Sequence, residues 1–285
     1  MILVILVAFL GGGIPPFTKI ALKELSTPLF IALRFLVAGL FIIPLFLYKK
    51  EKITKVILMK TLFVSLLAVF NVTFFAMGIK RSIATVAQIM YAAVPIIVAL
   101  ILRYFYKEKL TKIKIVGIIL GFAGVLTIIL FPMMTGSVNG NNSLFGNLLV
   151  LMAVVSYSFY TVLSKDLQKN SSPLFITSAF IGTTVIIQGL IAFLTVPSIP
   201  NIVSHLSTIG ILSILYVGLL GTVGFSLLYQ QTIKKASPVV SSMVFYLHPV
   251  FTFFWSVILL NEKLAIEYII GGTIAFVGAY LVTKS

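Results

Sequence analysis

Apolar runs about as long as a bilayer is thick, separated by short polar gaps, set the pattern of this chain from end to end. A membrane-spanning helix needs roughly 20 predominantly apolar residues. The runs divide into ten such spans, near 2–19, 29–47, 56–78, 84–105, 113–131, 145–164, 174–195, 208–231, 238–260 and 266–282. Nothing is left over for an aqueous domain, because the longest polar gap, "PMMTGSVNGNNS", reads as a turn-rich loop. The opening "MILVILVAFLGGGIPPFTKI" has neither a basic start nor a small-residue cleavage site, so it reads as the first span and not as a signal peptide.

Composition agrees with the pattern: of 285 residues 60% are hydrophobic and 9% charged, with a mean hydropathy of +1.18. The expectation is an all-α membrane protein. Cysteine is absent, which excludes disulfides, thiolate metal sites and a Cys nucleophile. A net charge of +15 would suggest nucleic acid in a soluble protein, but here the lysines lie in the gaps between spans, so no nucleic-acid partner is expected. With the N-terminus inside, the cytoplasmic face receives the basic clusters at 49–60, 103–114, 165–169 and 234–235 together with Lys284. The opposite face receives only Lys19, Lys23, Lys80, Arg81 and Lys263. Short cytoplasmic loops hold an excess of Lys and Arg. The asymmetry therefore predicts a multi-pass protein of the cytoplasmic membrane with both termini in the cytoplasm.

The chain also repeats itself. Residues 79–127 laid on 233–281 without a gap match Ile79, Lys80, Val86, Pro95, Glu108, Lys109, Leu110, Ile115, Gly117, Phe122 and Gly124 to Ile233, Lys234, Val240, Pro249, Glu262, Lys263, Leu264, Ile269, Gly271, Phe276 and Gly278. "TPLF" at 27–30 echoes "SPLF" at 172–175. Each half then holds five spans, and because five is odd the second half crosses the membrane in the opposite sense. Such an inverted repeat is the symmetry of many secondary transporters, with the site near the midplane between the halves. The halves are placed at 1–132 and 144–285.

"GGGIPPFTK" in span one, "ALRFLVAG" in span two, "AAVPIIVALILRYFYKEKL" after span three and its partner "LHPVFTFFWSVILLNEKL" carry a family resemblance. The chain resembles a ten-helix, EamA-type member of the drug/metabolite transporter superfamily over essentially its whole length. It departs from that pattern at Gly11 and Tyr157, where a tryptophan is usual. The resemblance implies export or exchange of a small metabolite, an amino acid or related compound, by alternating access. A channel or a lipid scramblase of the same inverted architecture is the competing expectation.

Polar and helix-breaking residues inside spans are the candidate site, since intramembrane polarity is costly and faces a cavity or another helix. Span four places Gln88, Tyr91 and Pro95 on one helical face, and its partner places Ser242, Phe245 and Pro249 there, with Tyr246 and His248 nearby. Pro95 and Pro249, with Pro15 and Pro16 of the glycine-rich stretch in span one, are expected hinges. Asn71 and Tyr157 extend the expected substrate wall. Arg34, about six residues inside span two, is placed to meet a substrate carboxylate or phosphate. Gly117 and Gly121, matched by Gly271 and Ala275, are expected to brace each half through close helix packing. No HExxH, phosphate loop, mid-span acidic pair or Ser/His/Asp grouping occurs, so neither an enzyme nor a bound cofactor or metal is expected. The expected partners are a small-molecule substrate and membrane lipid.

Overall fold

A computed structural model describes residues 1–79, 90–134, 144–260 and 266–284. Every regular element among them is helical, as lipid requires, because a helix satisfies its own backbone donors and acceptors. In chain order these are α1 (Ile2–Gly12), α2 (Ile14–Ala21), α3 (Thr27–Lys49), α4 (Lys55–Ile79), α5 (Val94–Phe105), α6 (Lys112–Met134), α7 (Leu144–Leu167), α8 (Pro173–Thr195), α9 (Ile199–Ser204) and α10 (Thr208–Leu215). A π-helical segment (Tyr216–Gly224) follows, then α11 (Phe225–Lys235), α12 (Pro238–Ser242), α13 (Val244–Leu260) and α14 (Ile266–Lys284). Among the described residues, seven helical stretches are long and apolar enough to cross a membrane: Ile2–Ala21, Thr27–Lys49, Lys55–Gly78, Phe145–Leu167, Pro173–Thr195, Thr208–Lys235 and Pro238–Leu259. Met90–Phe105 and Ile269–Lys284 are shorter apolar helices. Large side chains such as Leu40, Phe41, Phe63, Ile186 and Phe193 point outward, a surface suited to lipid and not to water.

Local sequence fixes where helices start. Ser172, Ser207 and Ser237 each turn a side-chain oxygen onto the backbone N–H three residues on, at Phe175, Gly210 and Val240. Pro173 and Pro238 follow two of these caps, where the missing N–H leaves no bond unmade. The glycine-rich stretch of span one is interrupted, as expected. Gly13 separates α1 from α2, and Pro15 and Pro16 fall in the first turn of α2. Span eight differs from the uniform helix expected, since its middle widens into the π-helical segment.

Packing pairs α6 with α14, α4 with α7, α3 with α8 and α1 with α13. The α6–α14 seam is made of glycine backbone. A Cβ on Gly124 would lie 2.4 Å from the Ala275 nitrogen and 2.6 Å from the Gly271 oxygen. One on Gly278 would lie 2.3 Å from the Gly121 nitrogen and 2.7 Å from the Gly117 oxygen. The expected close packing of these glycines thus has a direct steric cause, but it differs from the brace expected within each half, since the seam joins span five to span ten. Two buried apolar clusters result. One joins Val7, Val98, Tyr229, Phe245 and Ala275; the other joins Phe35, Ala68, Tyr160, Ile181 and Val217. Tyr157 packs against both.

Candidate functional site

Between the clusters lies a cavity of about 180 Å³. Small residues make room for it. At Gly11 a side chain would meet the His248 Nε2 at 2.3 Å, at Gly12 the Phe251 Cβ at 2.5 Å, and at Gly13 the Tyr216 hydroxyl at 2.2 Å. The three glycines therefore let α13 and the π-helical segment close onto the broken first span. Pro15 and Thr18 of α2 then face the cavity.

Arg34 enters from α3. Its Nε and Nη2 donate to the Thr222 hydroxyl at 3.3 and 3.1 Å, and its guanidinium carbon stands 4.9 Å from the Phe35 ring centre and 5.9 Å from that of Phe30. Thr222 in turn donates to the Val217 carbonyl five residues back, at 2.7 Å. That i−5 reach matches the wider turn of a π-helix, and it aims the threonine oxygen at Arg34.

An aromatic wall faces this cation. The Tyr157 ring centre lies 5.3 Å from Phe245, 5.6 Å from Tyr229 and 5.6 Å from Tyr160. Tyr91 joins through Phe245 at 5.7 Å, and its hydroxyl accepts from Asn71 Nδ2 at 2.6 Å. Asn71 also donates to the Ala153 carbonyl at 2.9 Å, which fixes the amide. His248 packs tilted against Phe225 and edge-on against Phe245, at 5.6 and 5.1 Å, and its Nε2 and the Thr18 hydroxyl are buried without partners among the described residues. Both residues line the cavity. None of the described acids does.

The two ends of the bundle differ. Leu22 and Thr27 carry the cavity lining toward the end that holds Glu24. At the other end, Gln168 Nε2 donates to Gln230 Oε1 at 2.6 Å and to its carbonyl at 2.9 Å, while Gln230 Nε2 donates to Tyr160 at 2.8 Å and Ser164 at 3.0 Å. Lys165 Nζ donates to the Ile233 carbonyl at 3.0 Å. This network welds α7 to α11 beneath the aromatic wall. Both ends also carry a carboxylate clamp. Glu24 accepts from the N–H and hydroxyl of Ser207 at 2.8 and 2.5 Å, and Glu51 accepts from the same two groups of Ser172, 2.8 Å from its N–H. Each clamped serine caps a helix. The Ser207 hydroxyl and N–H hold the Glu24 carboxyl below the usual carboxylate range.

Of the residues expected in the site, Arg34, Asn71, Tyr91, Tyr157, His248, Pro15 and Pro249 are brought together around the cavity. Tyr246 is not. Its ring lies over Gly121 and its hydroxyl donates to the Ile118 carbonyl at 2.9 Å, so it braces α13 on α6 instead of meeting a substrate. Pro16 is buried outside the lining, and Pro95 stands in the first turn of α5, also outside it. Gln88 lies outside the described residues. Ser242, expected beside Phe245, turns back to the Val239 carbonyl at 2.7 Å. Sequence reasoning missed Thr222; its signal was the glycine spacing of "GLLGTVG", which loosens the helix around it. The described residues hold no cluster of three metal-ligating side chains. An apolar chamber with one cation and a few hydroxyls is equipped to bind and release a small molecule.

The family model described as "EamA-like transporter family" matches residues 1–130 and 144–284. A protein named as an uncharacterized transporter in Archaeoglobus fulgidus is 29% identical over 287 residues, covering 99% of this chain and 96% of that protein. The Bacillus subtilis uncharacterized transporter YetK is 27% identical over 89% of this chain and 77% of its own length. A chloroplastic WAT1-related protein of Arabidopsis thaliana is 27% identical over 92% of this chain, and the match spans only 65% of that longer protein. A protein of known crystal structure superposes with a TM-score of 0.78 over 99% of this chain and 96% of its own, at 17% identity, so the two share a fold.

Proposed function

The chain belongs to the EamA-like transporter family, and from that premise we propose that it is a secondary transporter that exports or exchanges a small metabolite, an amino acid or related compound, across the cytoplasmic membrane by alternating access. The observation that carries this reading is the cavity set between two apolar clusters, lined toward one end and sealed at the other by the Gln168–Gln230 network. A pathway shut at one end at a time is what alternating access requires.

The two halves are ten spans related by an inverted repeat, residues 1–132 and 144–285. Reciprocal packing supports it. Gly117 meets the Gly278 carbonyl and Gly124 meets the Gly271 carbonyl, and the repeat matches Gly117 to Gly271 and Gly124 to Gly278. Exchanging the halves exchanges the two contacts, as at an isologous, two-fold interface. The clamps follow the same exchange, with Glu24 before span two holding the cap of span eight and Glu51 before span three holding the cap of span seven. With both termini cytoplasmic, as the lysine distribution supports, the sealed end faces the cytoplasm and the cavity faces outward.

The test is counterflow. A metabolite library screened by thermal shift on purified protein identifies a ligand, because a ligand stabilises the state it binds by mass action. Proteoliposomes loaded with that ligand should then take up labelled ligand saturably and faster than empty ones. Flux that rises linearly and ignores the trans side would favour the channel or scramblase reading.

A further inference from the structure

We infer that Arg34 and Thr222 form the seat of a carboxylate, and that the cavity takes a ring-bearing monocarboxylic acid in preference to its amide, its amine or its zwitterionic amino acid. This rests on the transporter reading above and narrows it to a substrate chemistry.

The guanidinium is half used. Its Nε and Nη2 edge is spent on Thr222, while Nη1 has no hydrogen-bond partner among the described residues. A planar guanidinium offers five donors in a fixed fork that matches two carboxylate oxygens. Thr222 holds that fork still, since its own hydroxyl proton is committed to the Val217 carbonyl and only its lone pairs face Arg34. The Phe35 and Phe30 rings shield the cation from one side and leave it directed into the cavity. Glu24, Glu51 and Asp166 are engaged with Ser207, Ser172 and Tyr106, so none of them neutralises Arg34. A half-buried cation inside a membrane span is costly when no described acid pairs with it, and an arriving carboxylate reduces that cost.

Charge matching sets the valence. One guanidinium balances one carboxylate, whereas a phosphate monoester, close to two negative charges at pH 7, would bring an unbalanced charge into an apolar chamber. An ammonium group fares worse. No described acid lines the cavity, and a cation above the Tyr157, Tyr229 or Phe245 ring recovers only part of its lost hydration. The rest of the substrate is set by size and lining. A volume of about 180 Å³ slightly exceeds the roughly 150 Å³ apolar cavity that holds benzene, which leaves space for one ring and a short acidic arm. The unpartnered Thr18 hydroxyl lines the same chamber and supplies a further donor.

The test uses purified full-length protein in proteoliposomes and four compounds of one shape: hydrocinnamate, hydrocinnamamide, phenylpropylamine and phenylalanine. Hydrocinnamate should show saturable counterflow, phenylalanine should need at least a tenfold higher concentration, and the amide and amine should show no saturable counterflow above protein-free liposomes. Arg34→Gln should raise the half-saturating concentration of hydrocinnamate at least tenfold with monodisperse elution retained. Thr222→Val should weaken it severalfold and Thr222→Ser should restore it, a rescue that a merely structural threonine would not show. The seat is overturned if the amide or phenylalanine moves as well as the acid, if Arg34→Gln transports like wild type, or if hydrocinnamate does not move. Saturable counterflow of any of the other three in those cases would leave the transporter reading standing. Non-saturable passage of all four, faster than in protein-free liposomes, would overturn both.

Discussion

Replacing Gly278 with alanine puts the packing account under a quantitative strain. The new Cβ would sit 2.3 Å from the Gly121 nitrogen and 2.7 Å from both the Gly117 oxygen and the Gly121 Cα, where ordinary contact begins at 3.4 Å. Those atoms are backbone, so no rotamer change relieves them and α14 must move away from α6. In lipid the helices are held together by close packing and not by exclusion from water, so separation forfeits contact along the whole seam. Overpacking of this kind costs about 1–3 kcal/mol, offset by about 0.5–1 kcal/mol from the better helix propensity of alanine. The control is Gly189→Ala in α8, where nothing lies within 4 Å of the added carbon and the propensity gain of about 0.5–1 kcal/mol stands alone. At roughly 2–4 °C per kcal/mol for chains of about 150–250 residues, the two variants should melt several degrees apart in detergent, with wild type between them. A Gly278→Ala protein that melts at or above Gly189→Ala would refute the backbone-contact seam.

Three further outcomes follow from the same geometry. Gln230→Leu strands donors or acceptors on Gln168, Tyr160 and Ser164, at about 1–3 kcal/mol for each buried group left unmade; its melting temperature should fall, and Gln168→Leu added to it should recover part of the loss. Glu24 has a folded-state pKa depressed by Ser207, so its clamp stabilises above the ordinary glutamate pKa of about 4.3 and is lost as pH falls through the lowered value. Wild type and Glu24→Gln should therefore differ in thermal midpoint at pH 7 and converge in acid; a gap that persists or widens in acid would assign the contact no such role. Trp255, the single tryptophan of the chain, donates to the Phe9 carbonyl at 3.1 Å and packs on Phe17 and Tyr216. Its fluorescence should shift when a transported ligand rearranges the existing packing of α2 on α10 and the π-helical segment, and an unchanged spectrum at saturating ligand would argue that this face stays still.

How much was legible beforehand depended on whether regular helix geometry held. Glycine and proline punctuation announced the break at Gly13, because those residues act on the backbone wherever they occur. Arg34 was legible because a cation in an apolar run has few alternatives. Tyr246 was misplaced for a simple reason: it follows Phe245 by one residue, which turns it about 100° around a helix of 3.6 residues per turn, away from the cavity and over Gly121. Ser242 was assigned to the Phe245 face on the assumption of an unbroken helix, whereas Met243 separates α12 from α13. Thr222 was missed. The glycines of "GLLGTVG" mark a loosened helix around it, but which way its oxygen points is set only by the π-helical turn that aims it at Arg34.

The central claim, that the cavity opens at one end only while the other is shut, can be measured without knowing the substrate. The chain has no cysteine, so Thr18→Cys and Ser164→Cys report the cavity and the sealed network separately. Thr18 lines the cavity, and Ser164 is 0% exposed beneath Gln230. In a double variant in oriented vesicles, a bulky impermeant thiol reagent applied from outside should modify position 18. That modification should then suppress labelling of position 164 from inside by at least tenfold, because a wedge in the open end holds the other end closed. Labelling at the two positions that proceeds independently, each at its own rate whether or not the other is modified, would contradict alternating access.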